Sequence, residues 1–126
     1  MSYQESKTQA IRQVSATADG DPPSGDEGFA EVTEGRAVEV LHKPAFFLYT
    51  TASGTTPTAT IVPYWWDEAT QTWAADPDQS ISITAAGAQV NRIEARGKYC
   101  QPRVTVIGGT DPVIAMRYMF PIFYGF

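Results

Sequence analysis

The runs Arg103-Val104-Thr105-Val106-Ile107 and Ser80-Ile81-Ser82-Ile83-Thr84 decide the fold class. In both, apolar and polar residues alternate with a period of two, the pattern of a strand that buries one face and shows the other to water. The alternation sets Val104 and Val106 on one side, with Arg103 and Thr105 on the other.

Outward from these runs, from residue 36 to the end, β-rich segments are separated by Gly, Pro, Asp and Ser at the spacing of an all-β domain. Strands are expected over residues 36–41, 45–51, 59–66, 72–74, 80–84, 89–95, 98–107 and 113–120. Eight such strands fit a two-sheet antiparallel β-sandwich of the jelly-roll or immunoglobulin-like kind. Ser53-Gly54-Thr55-Thr56-Pro57 reads as a hairpin loop in which Gly54 takes a positive φ, and Gly108-Gly109-Thr110-Asp111-Pro112 as the turn into the last strand. Residues 85–96 can be read two ways. Ala86, Val90 and Ile93 have helical spacing, but Gly87 lies inside the segment and no capping residue stands closer than Thr84. As a strand, Ile93 turns inward while Arg92, Glu94 and Arg96 face solvent, and this reading is preferred.

The first 35 residues have a different texture. Ile11 and Val14 offer a marginal helix over residues 6–16, and residues 19–28 are a linker of Asp, Gly, Pro and Ser. Residues 1–35 are therefore expected to be a flexible acidic arm, and residues 36–126 the β-sandwich domain. Of the net charge of −5, the arm carries all: seven acidic residues against two basic, whereas the remainder balances seven against seven. A neutral body with an acidic arm is unsuited to sequence-independent nucleic-acid binding, which needs a basic surface. No stretch has the length and apolarity of a membrane span, and the first residues lack the pattern of a secretory signal. Neither a membrane nor a nucleic acid is expected as partner.

Signals of catalysis are weak. His42 is the only histidine, placed before Lys43-Pro44 at a strand end, and Cys100 is the only cysteine, which excludes an intrachain disulfide. The acidic pairs Asp67-Glu68 and Asp76/Asp78 sit at turns, and Asp76-Pro77-Asp78 supplies too few oxygens for calcium. The expectation is a non-enzymatic protein with no cofactor and no metal.

Aromatic residues point instead to contact surfaces. Adjacent strand positions face opposite ways, so Trp65 and Trp66 cannot both enter one core. One of them is expected at a subunit interface or, with Trp73, stacked on a sugar ring. Tyr118-Met119-Phe120-Pro121-Ile122-Phe123-Tyr124-Gly125-Phe126 leaves an apolar end that suits packing on a neighbour. Candidate interface residues are thus Phe120, Ile122, Phe123, Tyr124, Phe126, Trp65 and Trp66, and candidate glycan-stacking residues Trp65, Trp66 and Trp73. The chain itself, as a homo-oligomer such as a trimer, is an expected partner.

Thr84-Ala85-Ala86-Gly87, then Ile93-Glu94-Ala95-Arg96-Gly97-Lys98-Tyr99 and Pro102-Arg103-Val104-Thr105-Val106, below a hairpin bearing Trp73, resemble small β-sandwich virion proteins of tailed bacteriophages. The likeness covers roughly residues 58–108, and Cys100 and Pro102 interrupt its second strand. It implies a structural part of a virus particle assembled in the host cytoplasm. Such a part would be a capsid decoration or cement protein bound to the major capsid protein or another virion protein, or else a neck or tail component. A carbohydrate-binding or receptor-binding module is the alternative.

Overall fold

The computed structural model describes residues 9–15, 37–40 and 42–120. They form seven strands: β1 (Gln9–Ser15), β2 (Val38–Glu39), β3 (Ala45–Asp67), β4 (Thr72–Ala75), β5 (Ile81–Ile83), β6 (Gly87–Glu94) and β7 (Tyr99–Met119). One short 3-10 turn, Pro77–Gln79, precedes β5. All pairings are antiparallel, and all strands belong to one curled sheet.

Two very long strands organise this sheet. β3 and β7 pair from Phe47 opposite Met119 to Trp65 opposite Cys100. Along the free side of β3 lie β6, β5 and β4 in turn, and along the free side of β7 lie β1 and β2. The separate strands expected over 45–51 and 59–66 are therefore one strand, as are those over 98–107 and 113–120. The hairpin loop at 53–57 and the turn at 108–112 are not chain reversals.

Those two segments meet each other in mid-ribbon. Thr55 pairs with Thr110, and the register shifts on either side of the pair. Gly54-Thr55-Thr56-Pro57 and Gly109-Thr110-Asp111-Pro112 are the same motif on opposing strands, with φ of 112° and 46° at Gly54 and Thr56 and of 103° and 49° at Gly109 and Asp111. Each glycine abuts the other strand's backbone: a Cβ on Gly54 would lie 2.7 Å from the Asp111 carbonyl oxygen, and one on Gly109 2.7 Å from that of Thr56. Bulges of this kind bend a strand and increase its twist. Two of them, facing each other, fold the long ribbon into a corner.

Because the ribbon bends, both halves of its inner face contribute to one core. Phe46, Leu48, Ile93, Ile114 and Met116 come from one side of the corner, and Ile61, Trp65, Ile81, Ile83, Cys100, Val104 and Ile107 from the other. Full burial of each large aliphatic side chain is worth about 1.5–3 kcal/mol, so the core depends on this closure. Val38 and Val40 close it from β2 and the residue after it.

Several expectations meet their answer in the local geometry. Within residues 85–96 the chain forms the strand β6, Gly87–Glu94, with Ile93 buried and Arg92 and Glu94 exposed. In β5, Ile81 and Ile83 are buried and Ser82 is exposed, as the alternation requires. The alternation fails at Val106, which is half exposed, because Thr60 pairs with Val106 while Ile61 pairs with Val104. Thr105 is thus an extra residue, and it turns Val106 out and Ile107 in. Within the segment read as an arm, the expected helix over residues 6–16 gives way to β1 on the outer edge of β7, with Ile11 packed against the core.

The corner makes a stability ranking. Gly54→Ala and Gly109→Ala should each lower the denaturation midpoint by the strain of a positive φ, roughly 1–3 kcal/mol, plus the clash with the facing carbonyl. Gly87 also has positive φ, at 127°, but a Cβ there meets nothing within 4 Å. Gly87→Ala should therefore cost the least of the three in urea titrations, and equal costs would contradict the corner geometry.

Candidate interaction surface

The alternation of β3 divides the two adjacent tryptophans. Trp65 turns inward and is buried, so it is a core residue and belongs neither to a subunit interface nor to a sugar-stacking face. Trp66 turns outward and is partly exposed. β4 pairs with β3 so that Trp73 stands opposite Trp66, and their rings meet edge to face at 5.3 Å and 65°.

Tyr64 lies on the same outer face two residues before Trp66, and β7 brings Arg103 beside it. The Arg103 guanidinium sits 4.1 Å from the Tyr64 ring centre and 5.8 Å from that of Trp73. Its Nε donates to Oε1 of Gln101, which stands opposite Tyr64 and is buried. A cation over an aromatic face is attracted by the ring quadrupole, and the planar guanidinium can stack as well. Tyr64, Trp66, Trp73 and Arg103 thus form a pre-ordered aromatic and cationic patch. Tyr64, Trp66 and Trp73 are visible in the sequence as a local cluster, whereas Arg103 is 37 residues downstream of Trp66 and joins it only through the β3–β7 register.

Beneath this patch, Asp76 ties several segments together. Its buried carboxylate accepts from Trp65 Nε1 at 3.0 Å, Gln79 Nε2 at 2.9 Å and Arg96 at 2.8 Å. Burial alone would push the Asp76 carboxyl up; the hydrogen bonds from Gln79 and Trp65, with the charge and hydrogen bond of Arg96, hold it below its ordinary value. Gln79 in turn bonds both backbone groups of Glu94. Gly97 packs against the Trp65 ring, where an added Cβ would lie 3.2 Å from Cε3. In the sequence Asp76 has only the pattern of a turn residue. A buried indole N–H needs an acceptor, and that was the available signal for its role.

The remaining candidates are scattered. Phe120 is half-buried at the end of β7, edge to face with Tyr118 at 5.7 Å and under the Lys43 ammonium at 5.1 Å. Ile122, Phe123, Tyr124 and Phe126 lie outside the described residues. His42 occupies an exposed turn with φ of 63°. Asp67 caps its own turn by accepting from the Ala69 amide and the Thr70 hydroxyl. Burial, reinforced by the Asp76 charge, pushes the Cys100 thiol well above its ordinary value. Among the described residues no three His, Cys, Asp or Glu side chains gather as a metal site.

Comparison with known protein families, characterised proteins and solved structures finds no match to this chain.

The Asp76 arrangement has a pH signature. Since the folded carboxyl titrates below its unfolded value, its stabilisation is fully present above the ordinary carboxylate range and is lost as pH falls through the folded pKa. Asp76→Asn should cost about 1–3 kcal/mol near neutrality. Between about pH 5 and pH 2 it should also flatten the loss of stability relative to the unsubstituted protein, measured by urea denaturation at each pH. Parallel pH profiles for the two proteins would contradict the arrangement.

Proposed function

We propose that this chain is a non-enzymatic structural protein that holds neighbouring protein subunits through the outer face of its sheet. The single observation that carries the reading is the outward patch of Tyr64, Trp66, Trp73 and Arg103. Trp, Tyr and Arg are the residue types that dominate binding energy in protein interfaces, because each combines a large contact area with a polar handle. Here they are ordered before binding by their own stacking, which reduces the entropy lost on association.

The same patch fits a sugar less well. A pyranose needs a flat, open aromatic face, and Trp66 and Trp73 stand edge to face, so that one ring covers part of the other. Protein docking is accordingly the preferred reading of the two.

The setting proposed is a bacteriophage particle, with the chain as a capsid decoration or cement protein seated on the major capsid protein. Its support is the sequence likeness over roughly residues 58–108 together with an all-β body that carries aromatic residues on its outer face. In this reading the two halves of the curled sheet on either side of the corner act as the two layers of a sandwich.

Two variants test it. An antibody against the chain is expected to label particles released from cells that carry the gene, and the purified protein to co-sediment with those particles. Trp66→Ala or Trp73→Ala, with the fold intact by circular dichroism, should weaken co-sedimentation about 30-fold or more, as loss of a central anchor does. Unlabelled particles, or undiminished binding by both variants, would overturn the reading. Retention on a glycan array that Trp66→Ala abolishes would replace it with the carbohydrate-binding one.

A further inference from the structure

We propose that β6 is an open strand edge that pairs with β6 of a second copy, antiparallel and centred on Val90. The inference is independent of the aromatic patch, which lies on a different part of the sheet. It also differs from the self-association through the C-terminal tail that the sequence suggests.

The argument begins with the parity of β6. Its partner is β3, in register from Ala45 opposite Glu94 to Ala52 opposite Gly87. The Ala95 amide donates to the Pro44 carbonyl, so residue 95 turns its backbone groups toward β3. Residue 94 must then turn away. It does, for the Glu94 N–H donates to Gln79 Oε1 at 2.8 Å, and Gln79 Nε2 donates to the Glu94 carbonyl at 3.1 Å. The Gln79 carboxamide is thus bound to the edge as a neighbouring strand's peptide group would be. Antiparallel alternation puts the N–H and C=O of Arg92, Val90 and Ala88 on the same outward side. Among the described residues no strand other than β3 pairs with β6.

Natural sheets protect such edges with Pro, Lys, inward charges or short length. Over the eight residues Gly87-Ala88-Gln89-Val90-Asn91-Arg92-Ile93-Glu94 there is neither Pro nor Lys, and only the far end is covered, by Gln79. Val90, 53% exposed, is one of two large apolar side chains left open to this degree among the described residues. At the near end, a Cβ added to Gly87 would meet nothing within 4 Å.

The occupant follows from self-complementarity. With Val90 opposite Val90 of the second copy, Arg92 falls opposite Ala88, and the outward groups of the three residues make about six hydrogen bonds across the two-fold axis. Val90 meets Val90 on the outer face, an apolar pair. Gln89 falls opposite Asn91, a pair of amides already joined within one chain at 2.9 Å. No like charges face each other, since Arg92 meets Ala88 and stays beside Glu94 of its own chain at 3.4 Å. The register ends where Gln79 covers Glu94.

Variants of the full chain with one added cysteine read this register directly, because the native Cys100 is fully buried and its thiol is held protonated. Residues 90 of the two copies would have Cα atoms about 5.5 Å apart, inside the range a disulfide spans. Residues 92 would be four positions out of register, about 14 Å apart, beyond its reach. Under mild oxidation Val90→Cys should form disulfide dimers at least tenfold faster than Arg92→Cys. Val90→Pro removes only an outward N–H and should leave the monomer folded while weakening dimerisation, measured by sedimentation equilibrium, at least tenfold. Three results would overturn the proposal: equal cross-linking at 90 and 92, a cross-link from residue 90 to any other position of the second copy, or a Val90→Pro protein that dimerises like the unsubstituted chain. All these variants leave Tyr64, Trp66, Trp73 and Arg103 in place, so the particle-binding test is read separately.

Discussion

Two backbone segments cross at Thr55 and Thr110 too closely for a side chain at either neighbouring glycine, and the architecture depends on that approach. Strands of 23 and 21 residues, if straight, would run some 70–75 Å, and a ribbon of that length cannot cover its own apolar face. The paired bulges change this. They turn one half of the ribbon against the other, so that Phe46 and Ile114 on one side share a core with Ile61 and Val104 on the other. The same motif on both strands gives the corner a local two-fold symmetry, with each Gly set under the carbonyl of the opposing Thr or Asp.

What the corner closes, Asp76 and Gln79 fasten. Beyond Trp66 the chain leaves β3 for the short β4, and the turn that follows must be held against the sheet with few apolar residues of its own. A buried carboxylate satisfied by an indole, a carboxamide and a guanidinium does this at fixed geometry. Gln79 extends the network to the last residue of β6, where it both fixes the turn and ends the open edge. The aromatic patch depends on the same network, because Trp65 under Asp76 anchors the strand whose next residue, Trp66, faces out.

Much of the fold class was legible, and the failures have physical causes. The alternation at Ile81 and Ile83 and the outward charges at Arg92 and Glu94 identify strands because one face of each meets the core and the other meets water. Gly54 reads from the sequence as a position of positive φ and residues 108–112 as a turn, but such segments serve chain reversals and bulges alike. Only the pairing partner distinguishes the two, and the sequence carries it here solely in the repeated Gly-Thr-x-Pro. Val106 was misplaced for a related reason, since one extra residue at Thr105 reverses every later side chain. The division of Trp65 from Trp66 followed from strand geometry, while the choice of which is buried required the register. Arg103 enters its site from a distant part of the chain, and no local pattern joins it to Tyr64. Asp76 lies 11 residues from Trp65, and only the need of a buried indole N–H for an acceptor connects the two.

The central claim is that residues 53–57 and 108–112 face each other within one bent ribbon instead of forming two separate reversals. Cross-strand nuclear Overhauser effects test it most directly. The account predicts contacts between Thr55 and Thr110, and between Ala59 and Ile107 just beyond the corner, with slow exchange of the amides that pair on either side. Absence of any contact between Thr55 and Thr110, with rapid exchange throughout both segments, would contradict it.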